Sequence, residues 1–214
     1  MRPHFTGIAG CSRMGWPGKR GGGRMRIISG SEKGRRLRAV RGRSVRPTSG
    51  RARTTLFDML AARIPNCRFL DLYAGVGSVG LEALSRGAAS ATFVEQSQKA
   101  CLMLRENIQS LGMKDRAEVI CKRAGPGLKL LSLRGEEFEL VFLDPPYKAQ
   151  QEALAVLRYL GESSLLGEDA VVVLQHSSRD DSPAQTASLV LADSRRVGDT
   201  CFCFFEPLGA VTGA

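Results

Sequence analysis

"CRFLDLYAGVGSVGLEALSRGAASATFVEQ", residues 67–96, reads as a strand, a glycine-rich turn, a helix and a second strand in direct succession. The apolar run RFLDL has the length of a buried strand, and SVGLEALSRG carries apolar residues at helical spacing before Gly87 stops it. ATFVEQ is again a short apolar run ending in an acid. Strand, helix and strand in this order form the unit from which parallel sheets are built. The alternation continues downstream. SQKACLMLRENIQSLG predicts a helix stopped by Gly112, AEVICK a strand, and GPGLKLLSLRG a short helix opened by Pro126. FELVFLDPPY follows as a strand, EALAVLRYL as a helix and DAVVVLQ as a buried strand. TASLVLADSRRVGDTCFCFFEP predicts two strands turning at Gly198 and Asp199, an antiparallel end to the sheet. The fold class expected is therefore α/β, with a mostly parallel sheet, an antiparallel C-terminal strand and helices on both faces. Upstream, MRIISG and RRLRAV joined by GSEKG predict a small basic β-hairpin, and RPTSGRARTTLFDMLAARI predicts a helix over 51–64.

Composition supports one well-buried domain: 214 residues with 43% hydrophobic content are enough for a single core. No run approaches the roughly 18 apolar residues of a membrane span, and the N-terminal stretch lacks the apolar segment of a secretory signal. A cytoplasmic location is expected. The six cysteines form no CxxC pair, and most sit in apolar stretches where a reduced thiol acts as a small hydrophobe. His4 and His176 stand alone in the sequence, so no metal is expected.

Charge is unevenly spread. Residues 1–53 hold 13 Arg and 2 Lys against the single acid Glu32, so this quarter carries +14 and the remainder −4. Such an arm on a mildly acidic body is the footprint of a polyanion binder. The organisation expected is a disordered or spurious extension over 1–24, a basic hairpin over 25–50, a catalytic domain over 51–207 and a short tail over 208–214. Arg51 and Arg53 fall in the first turn of the predicted helix, where the helix dipole prefers anions; a bound phosphate would reconcile them.

Three strand ends carry chemistry. Asp71, Gly75, Gly77 and Gly80 form a D-x-x-x-G-x-G-x-x-G turn between strand and helix. Glycines there let backbone approach a ligand, and the acid before the turn suits an ammonium better than a pyrophosphate. Glu95 ends the next strand, 15 residues past Gly80, where an acid can accept both hydroxyls of a ribose. The corner D-P-P-Y, residues 144–147, joins a carboxylate to a proline-fixed carbonyl. Two acceptors so placed would take both N–H bonds of an exocyclic amino group, orient its nitrogen toward an electrophilic methyl and offset the developing charge. Tyr147 offers a stacking face worth on the order of 1–3 kcal/mol.

The motifs RIISGSEKGRRL, RPTSGRARTTLF, LDLYAGVGSVGLEALSRGA, VFLDPPY and VGDTCFCFFEP together resemble the Rossmann-like class I S-adenosylmethionine-dependent methyltransferases. More narrowly, they resemble the bacterial 16S ribosomal RNA guanine-N2 methyltransferase family of the small-subunit methyltransferase D type. The resemblance implies that Asp71, Ala74, Gly75 and Gly77 cradle the amino-acid end of S-adenosylmethionine, that Glu95 holds its ribose with Gln96 alongside, and that Asp144 borders the cofactor. It implies that Asp144, Pro145, Pro146 and Tyr147 hold the target base, and that Lys33, Arg35, Arg36, Arg46, Thr48, Arg51 and Arg53 contact RNA. The partner implied is 16S rRNA or the assembling small subunit, met by a monomer with no membrane and no metal. Two departures stand out: Arg123 occupies a place where many relatives carry an acid for the adenine amine, leaving the Ala124 backbone to serve, and Gly50 and Thr54 replace residues that are often acidic. D-P-P-Y by itself also fits an adenine-N6 methyltransferase on RNA or DNA, and the basic arm fits a noncatalytic assembly factor.

Overall fold

The computed structural model describes residues 25–39, 50–146, 150–180, 186 and 188–208. Seven strands form one sheet: β1 Arg68–Leu72, β2 Ser90–Val94, β3 Ala117–Ile120, β4 Phe138–Leu143, β5 Leu166–Ser177, β6 Leu189–Val197 and β7 Thr200–Pro207. Their spatial order is β3-β2-β1-β4-β5-β7-β6. The first five are mutually parallel, and β7 alone runs against them, inserted between β5 and β6. The β1, β2 and β4 sequences are nearly continuous apolar runs because helices cover both faces of the sheet.

One face packs Phe69, Phe93, Leu140 and Phe142 against α1 (Gly50–Met59), α2 (Gly80–Ser85) and α3 (Gln98–Ser110). The opposite face packs Leu70, Leu72, Val141 and Leu143 against α4 (Ala124–Leu133) and α5 (Gln150–Glu162). Strand order reverses between β1 and β4, because the chain builds outward through β2 and β3 before returning. In open α/β sheets the crevice at such a reversal, beyond the carboxyl ends of the strands, is the ligand site. Register levels those ends: Leu72 pairs with both Val94 and Leu143. Tyr73, Glu95 and Asp144 are thus the first residues past the sheet on three adjacent strands.

One local expectation needs correction. The helix predicted over 51–64 ends at Met59, where i→i−3 bonds from Ala61 to Asp58 and from Arg63 to Leu60 tighten the chain into turns ahead of Pro65. The expected hairpin forms as a short one: Arg26 bridges Arg36 in antiparallel sense, with cross-strand bonds from Ile27 to Arg35, Gly34 to Ile27 and Leu37 to Met25. Backbone groups that a longer ladder would use are diverted to α2: Ile28 and Ser29 donate to Glu82, while Ser31 and Glu32 donate to Ser85. Arg38 and Asn107 exchange bonds at the far end of the same segment. Of the expected segments, 1–24 and 209–214 lie outside the described residues. Among the described residues no helix is long and apolar enough to cross a membrane.

Candidate active site

Asp71 is the last inward acid of β1 and is 2% exposed. Its Oδ2 accepts the Gly80 N–H at 2.9 Å, so the carboxylate holds the first turn of the short α2. Burial pushes its pKa up to about 7, helped by the nearby Asp144 and Glu95 charges and opposed by the Gly80 bond. Asp144, partly buried at the end of β4, is likewise raised to about 7 by desolvation. Glu95 spends its two oxygens on backbone, accepting from Gly75 N–H at 2.8 Å and Ser97 N–H at 2.7 Å. That leaves the second lone pair of each oxygen for a ligand. Among the described residues no Lys or Arg forms an ion pair with any of the three.

The glycines divide into two roles. Gly75, at φ 57°, would point a side chain into open space, so its left-handed backbone leaves room on the crevice side. Gly77 and Gly80 serve packing: a Cβ would meet Leu104 at 2.2 Å in the first case and Phe93 at 2.4 Å in the second. These two let α2 and α3 sit against the sheet. Ala74, whose N–H bonds the Val94 carbonyl at 3.1 Å, ties the turn to β2.

Gln96 is exposed and, with Arg123, lines a groove of about 520 Å³ whose far wall includes Glu152 and Tyr159 of α5. Arg123 precedes α4 with no side-chain cap bond. The buried Ala124 begins that helix, where N–H groups have no intrahelical acceptor. Pro145 is partly buried and Pro146 exposed; Tyr147, Arg46 and Thr48 lie outside the described residues.

Of the remaining arm residues, Lys33, Arg35, Arg36 and Arg51 are exposed. Arg35 is occupied by Glu32 at 2.8 Å and by the Ser110 carbonyl. The expectation that Arg53 contacts RNA is corrected, because it is 4% exposed and donates to the Arg26 carbonyl beside Glu82. Sequence reasoning missed Glu82 and Asn107, both fully buried. Asn107 donates to the Val76 carbonyl at 3.1 Å, which links the arm to the glycine turn. Their signal was a polar residue on the core face of an amphipathic helix. Also missed was the neighbourhood of His176, which β5–β7 pairing sets directly across from Cys201.

A family model described as conserved hypothetical protein 95 matches residues 25–206. The Bacillus subtilis protein YlbH, named as a candidate rRNA methyltransferase, is 36% identical over 86% of this chain and 100% of its own length. Ribosomal RNA small subunit methyltransferase D of Escherichia coli K12 is 31% identical over 89% of this chain and 93% of its own. A solved hypothetical protein of Thermus thermophilus, TTHA0928, superposes with a TM-score of 0.73 at 33% identity, covering 85% of this chain and 98% of that one. The chain belongs to the small-subunit methyltransferase D family of class I methyltransferases.

Proposed function

We propose that this chain transfers a methyl group from S-adenosylmethionine to the exocyclic N2 of a guanine in 16S ribosomal RNA. The observation that carries the reading is the convergence of Asp71, Glu95 and Asp144 at the switch point, with Asp71 and Asp144 held near pKa 7 and no basic partner among the described residues. Three acids so placed repel one another, and a ligand bearing ammonium and sulfonium charges relieves that repulsion. The donor set thus fits S-adenosylmethionine: Asp71 and the turn Ala74–Gly77 for the amino-acid end, Glu95 for ribose hydroxyls, and Gln96 and the Ala124 N–H on the adenine side. When bound, that cofactor supplies an activated methyl group, so the protein's contribution is positioning.

Asp144 and the Pro145 carbonyl accept the two amino hydrogens and aim the nitrogen lone pair, with Tyr147 stacking on the base. Exposed Lys33, Arg36 and Arg51, with Arg35, Arg46 and Thr48, contact phosphate. The basic arm supports a nucleic-acid substrate, and the names of the relatives support ribosomal RNA. The test is incubation with labelled S-adenosylmethionine and small subunits lacking the modification, followed by digestion and mass analysis. N2-methylguanine is expected. N6-methyladenine would replace the target base, and no label transfer despite cofactor binding would reject the enzyme reading.

A further inference from the structure

The antiparallel pairing of β5 with β7 sets His176 opposite Cys201 and Leu174 opposite Cys203. The two cysteines are two residues apart on one strand, so they share a face with the imidazole. A ligand atom from each of the three side chains lies within 4.8 Å of the other two. His176 Nδ1 lies 2.8 Å from the Ser177 carbonyl. A carbonyl only accepts, so this contact places a hydrogen on Nδ1, and in the neutral ring that tautomer turns the Nε2 lone pair toward the Cys203 sulfur at 3.3 Å. Imidazoles that bind metals are held in this way, one nitrogen donating to a carbonyl and the other presented to the ion.

We propose that His176, Cys201 and Cys203 form a binding site for a zinc-class divalent ion that clamps the carboxyl end of β5 to β7. Two soft thiolates and one imidazole match that class and disfavour magnesium or calcium. Zn–S and Zn–N bonds of about 2.3 and 2.0 Å separate tetrahedral ligand atoms by about 3.5–3.8 Å. The present spacing, within 4.8 Å throughout and 3.3 Å between Nε2 and the Cys203 sulfur, brackets that range. His176 and Cys201 are both partly exposed, which gives the ion an entry path and lets water take the fourth position. Binding converts both thiols to thiolates and releases about two protons to solvent per ion. The three side chains belong to β5 and β7, whereas the three acids belong to β1, β2 and β4, and metal binding is read without any activity measurement, so its outcome is distinguishable from that of the methyl-transfer reading.

The test uses full-length reduced protein stripped with a chelator. Titration with cobalt(II) is expected to saturate at one equivalent, with a sulfur-to-cobalt charge-transfer band and the d–d bands of a tetrahedral site. Zinc is expected to displace cobalt and to raise the melting temperature. Cys203→Ser, Cys201→Ser and His176→Gln should each weaken binding at least tenfold, while Cys121→Ser, which removes an exposed thiol elsewhere, should leave it unchanged. Should Cys203→Ser fail to fold, the two partly exposed positions decide. Absence of the charge-transfer band in wild type, or its persistence in the Cys201→Ser and His176→Gln variants, overturns the proposal.

Discussion

Asp71 and Glu82 are both buried carboxylates bound to the same short helix, yet they stand in opposite electrostatic situations. Glu82, fully buried, accepts from the Ile28 and Ser29 N–H groups at 2.7 and 2.9 Å and from Arg86 at 2.8 Å, with the Arg53 guanidinium nearby. Arg86 in turn lies 4.8 Å over the Phe57 ring, so α1, α2 and the arm share one cluster in which the Glu82 charge is compensated. Asp71 has a backbone N–H from Gly80 and two neighbouring carboxylates. Burial is therefore a poor guide to role. Pairing separates the two: a satisfied acid holds architecture together, and an acid facing like charges awaits a cation.

The contrast breaks first at Glu82. Glu82→Ala leaves the buried Arg53 and the partly exposed Arg86 without their counter-charge and two arm N–H groups without an acceptor. Loss of one partner from such a cluster costs about 3–5 kcal/mol. At about 2–4 °C per kcal/mol for a chain of this size, the melting temperature should fall by roughly 6–20 °C. Limited proteolysis should then cut within 25–39. A loss below about 1 kcal/mol would mean that Glu82 is not the staple described. Asp144→Ala is expected to do the reverse: turnover falls about 10²–10³-fold while melting is unchanged or slightly higher, because a like charge beside Asp71 is gone. Cofactor affinity by calorimetry should remain near wild type, and full methylation by this variant would refute the role given to Asp144.

The elements were readable because strand and helix periodicities differ, and the three acids stood out because Glu95 and Asp144 each terminate an apolar run while Asp71 interrupts one just before the glycine turn. What sequence could not supply was the partner of each polar residue. Glu82 and Asn107 are ordinary helix residues until the arm folds onto them, and Arg53 resembles its exposed neighbour Arg51 until α1 is rotated against α2. His176 was isolated for the same reason: the Cys201 that faces it is 25 positions away in the chain and adjacent only through the β5–β7 register. The packing demand on Gly77 and Gly80 was invisible because close packing and close ligand approach ask for the same missing Cβ.

Titration sharpens the comparison further. Asp71 has its folded pKa near 7 against an ordinary value of 3.8, so the folded state keeps a proton that the unfolded chain gives up at lower pH. The stabilisation from that proton is complete below about pH 4 and is lost as pH rises through about 7. Asp71→Asn retains an oxygen for the Gly80 N–H and has no charge to bury. Without cofactor, it should match wild type at pH 4 and be the more stable of the two at pH 8, measured by urea midpoint. Its affinity for S-adenosylmethionine should fall at least tenfold at pH 8, while wild-type affinity rises between pH 6 and 8 as Asp71 ionises. A wild-type affinity flat across that range would remove the case for acids waiting on a cation.

The smallest expected effect lies at Tyr73, which joins the two sides of the crevice. This residue sits at φ 63°, a conformation that is costly for a bulky side chain, by about 1–3 kcal/mol. Its hydroxyl donates to Glu152 Oε1 at 3.1 Å in the first turn of α5, the helix that follows the D-P-P-Y corner. Burial and the Glu152 charge push the phenol pKa up, so the donor stays protonated at every working pH. Tyr73→Phe keeps the ring and removes only this tether, and Glu152, near solvent, is not left as a buried orphan. Stability should drop by about 0.5–1.5 kcal/mol. If the tether positions the cofactor turn against the catalytic corner, KM for S-adenosylmethionine rises a few-fold with kcat less changed, and Glu152→Ala produces the same split without adding to it. Additive losses in the double variant would show instead that each side chain acts alone and that the bond merely decorates the groove.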